Sequence, residues 1–306
     1  MMKLEEFANA VLAAVREKAD GVFNAWLTGN TKNNGVKKVG ITTAGPESKS
    51  GSCVYLNDYY REYRNRCLEF GEAAEIVYQQ IMRHRNDLKD INTADFLQWN
   101  IIKHHIYAKL VNADANGEVL GTVPHRIFLD LAVVYYIKVQ EEGEAENERT
   151  LSIMIQNDYL NTWGRDEESL YQAALTNMRM DGSTYFVSLE KLLCSILMKG
   201  MDNLKFRDEE YVNMYVLTNR NKVFGAVEIM DRNTLQQISE KLADDFIVLP
   251  SSVHETVIIP SNKAPEYGEL AEMVRGINET LVSMEERLSN HVYRYNRDEG
   301  VLKIVK

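Results

Sequence analysis

The sequence predicts an α+β fold, with a helical N-terminal part and a mixed or mainly antiparallel sheet flanked by helices in the C-terminal half. Two observations carry that reading. Strand and helix patterns arrive in blocks and hairpins rather than in βαβ alternation. From residue 126 the runs become β-branched and aromatic, as in RIFLDLAVVYYIKVQ. No long linker divides the 306 residues, so one compact unit is expected, with possible lobes at 1–118 and 119–306.

The elements follow in order. Leu4 to Lys18 places Phe7, Val11, Leu12 and Val15 on one helical face. Residues 21–28 and 36–43 read as a hairpin across NTKNNG, where Asn34-Gly35 can take the positive φ of a tight turn. AGPESKSGS reads as a loop. Helical spacing returns over 56–66 and 72–85, and a third helix is predicted from Asn92-Thr93 through Ile106 to Leu110. RIFLDLAVVYYIKVQ and TLSIMIQND read as paired strands around the acidic tip EEGEAENE. Helices are predicted over 166–178 and 189–198. Residues 214–260 read as strand, turn, strand, helix, strand, polar elbow, strand. A helix over 267–278 and a terminal hairpin, HVYRYN against VLKIVK, complete the chain.

Composition narrows the function classes. A formal charge of −10 argues against a general nucleic-acid binder, whose phosphate contacts need a basic face. Cys53, Cys67 and Cys194 are scattered without CxxC spacing, which argues against a disulfide framework and a structural zinc. No apolar run is long enough to span a bilayer. Glu5, Glu6 and Arg16 break the N-terminus as a signal peptide, so a cytoplasmic location is expected. Neither GxxxxGK, GxGxxG nor HExxH occurs, and no cofactor or metal is expected.

Several blocks resemble a known family in the same order: NNG at 33–35, VYLNDYYREY at 54–63, VPHRIFLDLAVVYY at 123–136, IQNDYLNTWG at 155–164, NMYVLTNRNKVFGA at 213–226 and LPSSVHETVIIP at 249–260. It is a bacterial family known only as a domain of unknown function, frequent in gut anaerobes and their mobile elements. The resemblance spans nearly the whole chain. It implies a mobile-element or host–phage setting and no particular activity.

Three constellations could carry function. The elbow PSSVHE offers Ser252 as nucleophile and His254 as base, since residues two apart on a strand share a face. Glu255 falls on the opposite face, so a third group would have to arrive from elsewhere, Asp130 or Asp158, and the GxSxG elbow is absent. A strand-to-strand corner explains the same residues without chemistry. His125 and Arg126, at the entrance of the strongest strand, could hold an anion or carboxylate; capping of a sheet edge explains them equally. Tyr59 and Tyr63 lie one helical turn apart beside Arg61, Arg64 and Arg66, a local basic-aromatic surface able to stack on bases or anchor a partner. Half-buried packing with arginine stems is the plainer account of that stripe. Ser188 and Lys191 match SxxK, but Ser188 is also a good helix cap. His104 and His105 fall on different helical faces and cannot share a metal.

The sequence therefore predicts a non-catalytic protein that acts by binding another macromolecule, a protein partner in the first instance. A hydrolase built on Ser252 and His254 is the alternative, and nucleic-acid binding through the Tyr/Arg surface is a third reading.

Overall fold

The structure, a computed structural model, describes residues 2–45, 52–87, 95–139, 151–182, 184–192 and 213–305. The fold is α+β, with three antiparallel sheets among the described residues. The chain forms two compact units, residues 1–93 and 94–306. The lobe boundary predicted at 118 falls inside the second unit, because residues 106–112 form a strand paired with 131–137.

In the first unit, α1 (Leu4–Ala19) buries Phe7, Val11, Leu12 and Val15 as its spacing predicts, with Glu5 and Glu6 at its N-terminus and Arg16 and Lys18 in its last turn complementing the helix dipole. The predicted hairpin forms from β1 (Asn24–Thr31) and β2 (Lys37–Ala44), turning at Asn34 and Gly35, both at positive φ. A strand that the loop reading missed, β3 (Ser52–Tyr55), pairs with β2. Helices α2 (Asn57–Arg64) and α3 (Phe70–Asp87) follow. Ala25, Leu27, Val39, Ile41 and Val54 alternate onto one face of the sheet and close a core with Phe7, Leu56, Val77 and Ile81.

The second unit holds two sheets. In one, β6 (Leu131–Val139) is central, with β4 (Ile106–Asn112) on one side and β5 (His125–Phe128) and β7 (Leu151–Met154) in succession on the other. The other runs in the order β13 (Val301–Val305), β12 (Val292–Asn296), β10 (Phe246–Leu249), β11 (Thr256–Pro260), β9 (Tyr215–Asn219) and β8 (Thr184–Ser188). Leu131, Val133, Tyr135 and Ile137 from the first sheet share a core with Leu217, Phe246, Val248, Ile258 and Tyr293 from the second. Two helices, α4 (Glu167–Asp181) and α5 (Arg232–Leu242), add Leu170, Ala174, Leu235 and Ile238 to it. The outer side of the six-stranded sheet is covered by α6 (Tyr267–Thr280) through Leu270 and Val274.

Several predicted elements are corrected. The helix expected to run to Leu110 gives way to short turns and then β4, because Ile106, Ala108 and Leu110 alternate inward against β6. RIFLDLAVVYYIKVQ is two strands, bent at Leu129, whose φ is 60°. The strand expected after the turn near Arg220 is a buried 3-10 segment, Gly225–Met230. It lies so close to β9 that a Cβ on Gly225 would stand 2.2 Å from Thr218 Oγ1 and 2.5 Å from the Asn219 nitrogen. Strand β8 had no predicted counterpart. The acidic tip at 141–148 and the helix predicted over 189–198, beyond residue 192, lie outside the described residues.

Candidate functional site

The serine–histidine elbow joins β10 to β11 and is tied down by backbone bonds. Ser289 N–H donates to the Pro250 carbonyl at 2.9 Å, Leu288 N–H to Ser251 at 3.1 Å, and Val253 N–H to Glu286 at 2.9 Å. The Ser252 hydroxyl, almost fully buried, accepts the His254 backbone N–H at 3.0 Å. The imidazole is engaged in another direction. Its Nδ1 accepts the Phe224 N–H at 3.2 Å, so the ring proton belongs on Nε2, which lies 3.6 Å from Glu286 Oε1. The ring also stacks on Phe224, centroids 5.7 Å apart. Its only acceptor nitrogen is thereby occupied, and Ser252 lacks the base contact that a nucleophile needs. The carboxylate beside His254 is Glu286; Glu255 sits on the turn into β11.

A second cluster has the three residue types of a hydrolase but the wrong connections. Asp130 Oδ2 accepts from the Ser289 hydroxyl at 2.7 Å and from His291 Nδ1 at 2.9 Å, while Oδ1 accepts from the Tyr293 hydroxyl at 2.5 Å. Burial pushes the Asp130 carboxyl upward, but hydrogen bonds from Tyr293, Ser289 and His291 outweigh it and hold the group below its ordinary value. A hydrolytic triad needs the serine on Nε2 and the acid on Nδ1. Here serine and histidine both turn to the acid. The cluster staples the β5–β6 turn to the start of β12.

His125 and Arg126 are separated by strand alternation. His125 pairs with Val134 on the outer face of its sheet, where its Nδ1 lies 3.1 Å from the Val123 carbonyl. Arg126 pairs with Val133 on the core side. One ligand cannot bridge the two. Arg126 instead bonds Glu167 at 2.8 Å and also Glu168, and its guanidinium lies 3.9 Å from the centroid of the Tyr171 ring. Glu167 in turn accepts from the Tyr135 hydroxyl. The arginine lines a cleft of ≈ 190 Å³ together with Phe128, Val133, Ile229, Leu235 and Leu302 as apolar groups and a second arginine, Arg232.

The segment that builds one wall of this cleft hides a carboxyl that sequence reading did not single out. Glu228 is buried beside Asp231 and receives one hydroxyl, from Thr184 at 2.7 Å. Burial, opposed by that hydrogen bond and aided by the Asp231 charge, raises it to about 7. Asp231 keeps its charge through Arg179 at 2.7 Å and caps α5 through Asn233 N–H at 3.2 Å.

In the first unit, Tyr59 and Tyr63 pack against the core, and the Tyr63 ring stacks on Phe7 at 5.1 Å. Arg61 is exposed and pairs with Asp58 at 2.9 Å, and Arg64 and Arg66 are exposed as well. Tyr63 and Arg66 nevertheless meet at the surface, where both line a recess with Leu68, Glu69 and Phe70.

Among the described residues no helix is long and apolar enough to cross a membrane, and no group of three or more histidine, cysteine or carboxylate side chains could hold a metal. A family model described as a family of unknown function, DUF5688, matches residues 4–297. No curated protein and no solved structure matches the chain.

Proposed function

The chain belongs to the DUF5688 family, and we propose that it works by binding a partner protein rather than by turning over a substrate, in the bacterial cytoplasm and in a mobile-element or host–phage setting. The Arg126 cleft carries this reading. At ≈ 190 Å³ it is smaller than the pockets of drug-sized ligands, which start near about 300 Å³. It suits one apolar side chain seated as an interface anchor. The Arg126 charge is offset by its ion pairs with Glu167 and Glu168, which disfavours capture of a free anion there.

Val301 stands at the mouth, 38% exposed, so Val301→Trp fills the cleft from outside the core. A partner isolated on the wild-type protein should bind V301W at least tenfold more weakly and bind Ile127→Ala, on the outer face of the other sheet, unchanged. Equal affinity for a folded V301W overturns the cleft reading. Turnover in an esterase, peptidase or nuclease screen that disappears in both Ser252→Ala and His254→Ala overturns the non-catalytic reading.

A further inference from the structure

We propose that the outer face of the three-stranded sheet in the first unit binds single-stranded nucleic acid. This surface is separate from the Arg126 cleft and does not depend on it. With Ala25, Leu27, Val39, Ile41 and Val54 turned into the core, alternation puts Trp26, Thr28, Asn30, Thr42, Cys53 and Tyr55 on the opposite side. The register sets them in rows: Trp26 beside Thr42 and Cys53, then Thr28 beside Gly40 and Tyr55. Trp26 is 41% exposed, an aromatic left open where a tryptophan is ordinarily covered. The centre of the face is flat. A Cβ on Gly40 would lie 2.5 Å from Cys53 Sγ and 2.9 Å from the Val54 carbonyl, so the position admits no side chain.

The polar groups between the aromatics are pre-ordered. Thr28 and Thr42 hydroxyls bond each other at 2.7 Å, and the Asn30 amide donates to the Tyr55 hydroxyl at 3.3 Å. Lys32 and Lys38 reach over the Tyr55 ring, their ammonium groups 4.2 and 5.9 Å from its centroid.

Charge selects the occupant. The acidity that argues against nucleic acid belongs to the other unit. Residues 94–306 hold thirty-three acids against twenty-two Lys and Arg, whereas residues 1–93 hold twelve against thirteen. From Gly21 to Pro46 the chain has three lysines, Lys32, Lys37 and Lys38, and neither Asp nor Glu. An open aromatic, neutral hydrogen-bonding groups and lysines, with no carboxylate on the strands, match a chain of bases and phosphates. A sheet face with one open aromatic stacks an unpaired base while neighbouring polar and basic groups hold the strand.

The test is fluorescence anisotropy of labelled twelve-residue oligo(dT) and oligo(U) with the full chain at 50 and 200 mM salt. Binding should weaken with salt, as counterion release requires. Trp26→Ala should weaken it by about five- to a hundredfold, the effect of losing one stacked base. Lys32→Glu with Lys38→Glu should lower the log–log salt slope by about 1.4, the effect of two lost phosphate contacts on a single strand. Both substitutions lie on an exposed face, and circular dichroism and melting check that they fold. Absence of binding at 50 mM salt, binding indifferent to both variants, or equal affinity for a duplex of the same length overturns the proposal.

Discussion

The two units differ in what they bury. Among the described residues, Thr43 is the only buried polar side chain of residues 1–93, whereas residues 94–306 bury Asn116, Asn177, Thr218, Glu228, Asp231, Thr234, Ser239, Ser252, Thr256, Asn278 and Ser289. The first unit is held by apolar burial and leaves its hydroxyls, amides and lysines on an open sheet face. The second uses the same residue types as internal fasteners: Asp130 between a turn and β12, Arg179–Asp231 between α4 and α5, and His254 between an elbow and a loop. Reactive residue types therefore mean different things in the two units. In the second many of them tie elements together; in the first a set of them lies on an outward sheet face.

The contrast can be broken at its strongest point. Asp130→Ala removes the acceptor of two hydroxyls and an imidazole, and should lower the stability of the second unit by about 4 kcal/mol in urea unfolding. A loss under about 1 kcal/mol would mean the cluster is not a fastener.

Glu228 gives the next effect. Its carboxyl is raised from 4.5 to about 7 in the folded state. The folded protein therefore binds that proton more tightly than the unfolded chain does. The stability this contributes is fully present below about pH 4.5 and is lost as pH rises to about 7, amounting to about 3 kcal/mol over the window. Subtracting the pH profile of Glu228→Gln from that of the wild type isolates it, and a flat difference between pH 5 and 8 would contradict the burial argument.

Ser252→Ala should cost only about 1 kcal/mol, the worth of the single bond that its hydroxyl accepts from His254 N–H. Smallest is Trp26→Ala, which should change melting within about 0.5 kcal/mol because the ring lies on the open face of the first unit. A larger loss would place Trp26 among the fasteners and erase the contrast.

What was legible in the sequence divides along the range of the interactions. Helix α1, the β1–β2 hairpin and the β12–β13 hairpin follow from local periodicity and turn residues, and Ser188 accepts the Lys191 N–H at 3.3 Å as a cap should. Ile102, Ile106 and Leu110 fit a helical spacing as well as Ile106, Ala108 and Leu110 fit a strand; pairing with β6, a contact outside the local window, decides between them. The buried run GAVEIM has no period to read. The fasteners were invisible for the same reason. Asp130 meets Ser289 and Tyr293 across 159 and 163 residues, and Arg126 meets Glu167 across 41, separations that no motif spacing encodes.

The central claim, that the Ser252–His254 elbow and the Asp130 cluster serve the fold, is tested most directly at His254. Two-bond proton–nitrogen correlation of its imidazole by NMR should show Nδ1 without a proton, held as an acceptor by the Phe224 N–H, and the proton on Nε2. A proton on Nδ1, or a ring nitrogen whose signal moves on Ser252→Ala as a broken nucleophile–base bond would, contradicts it.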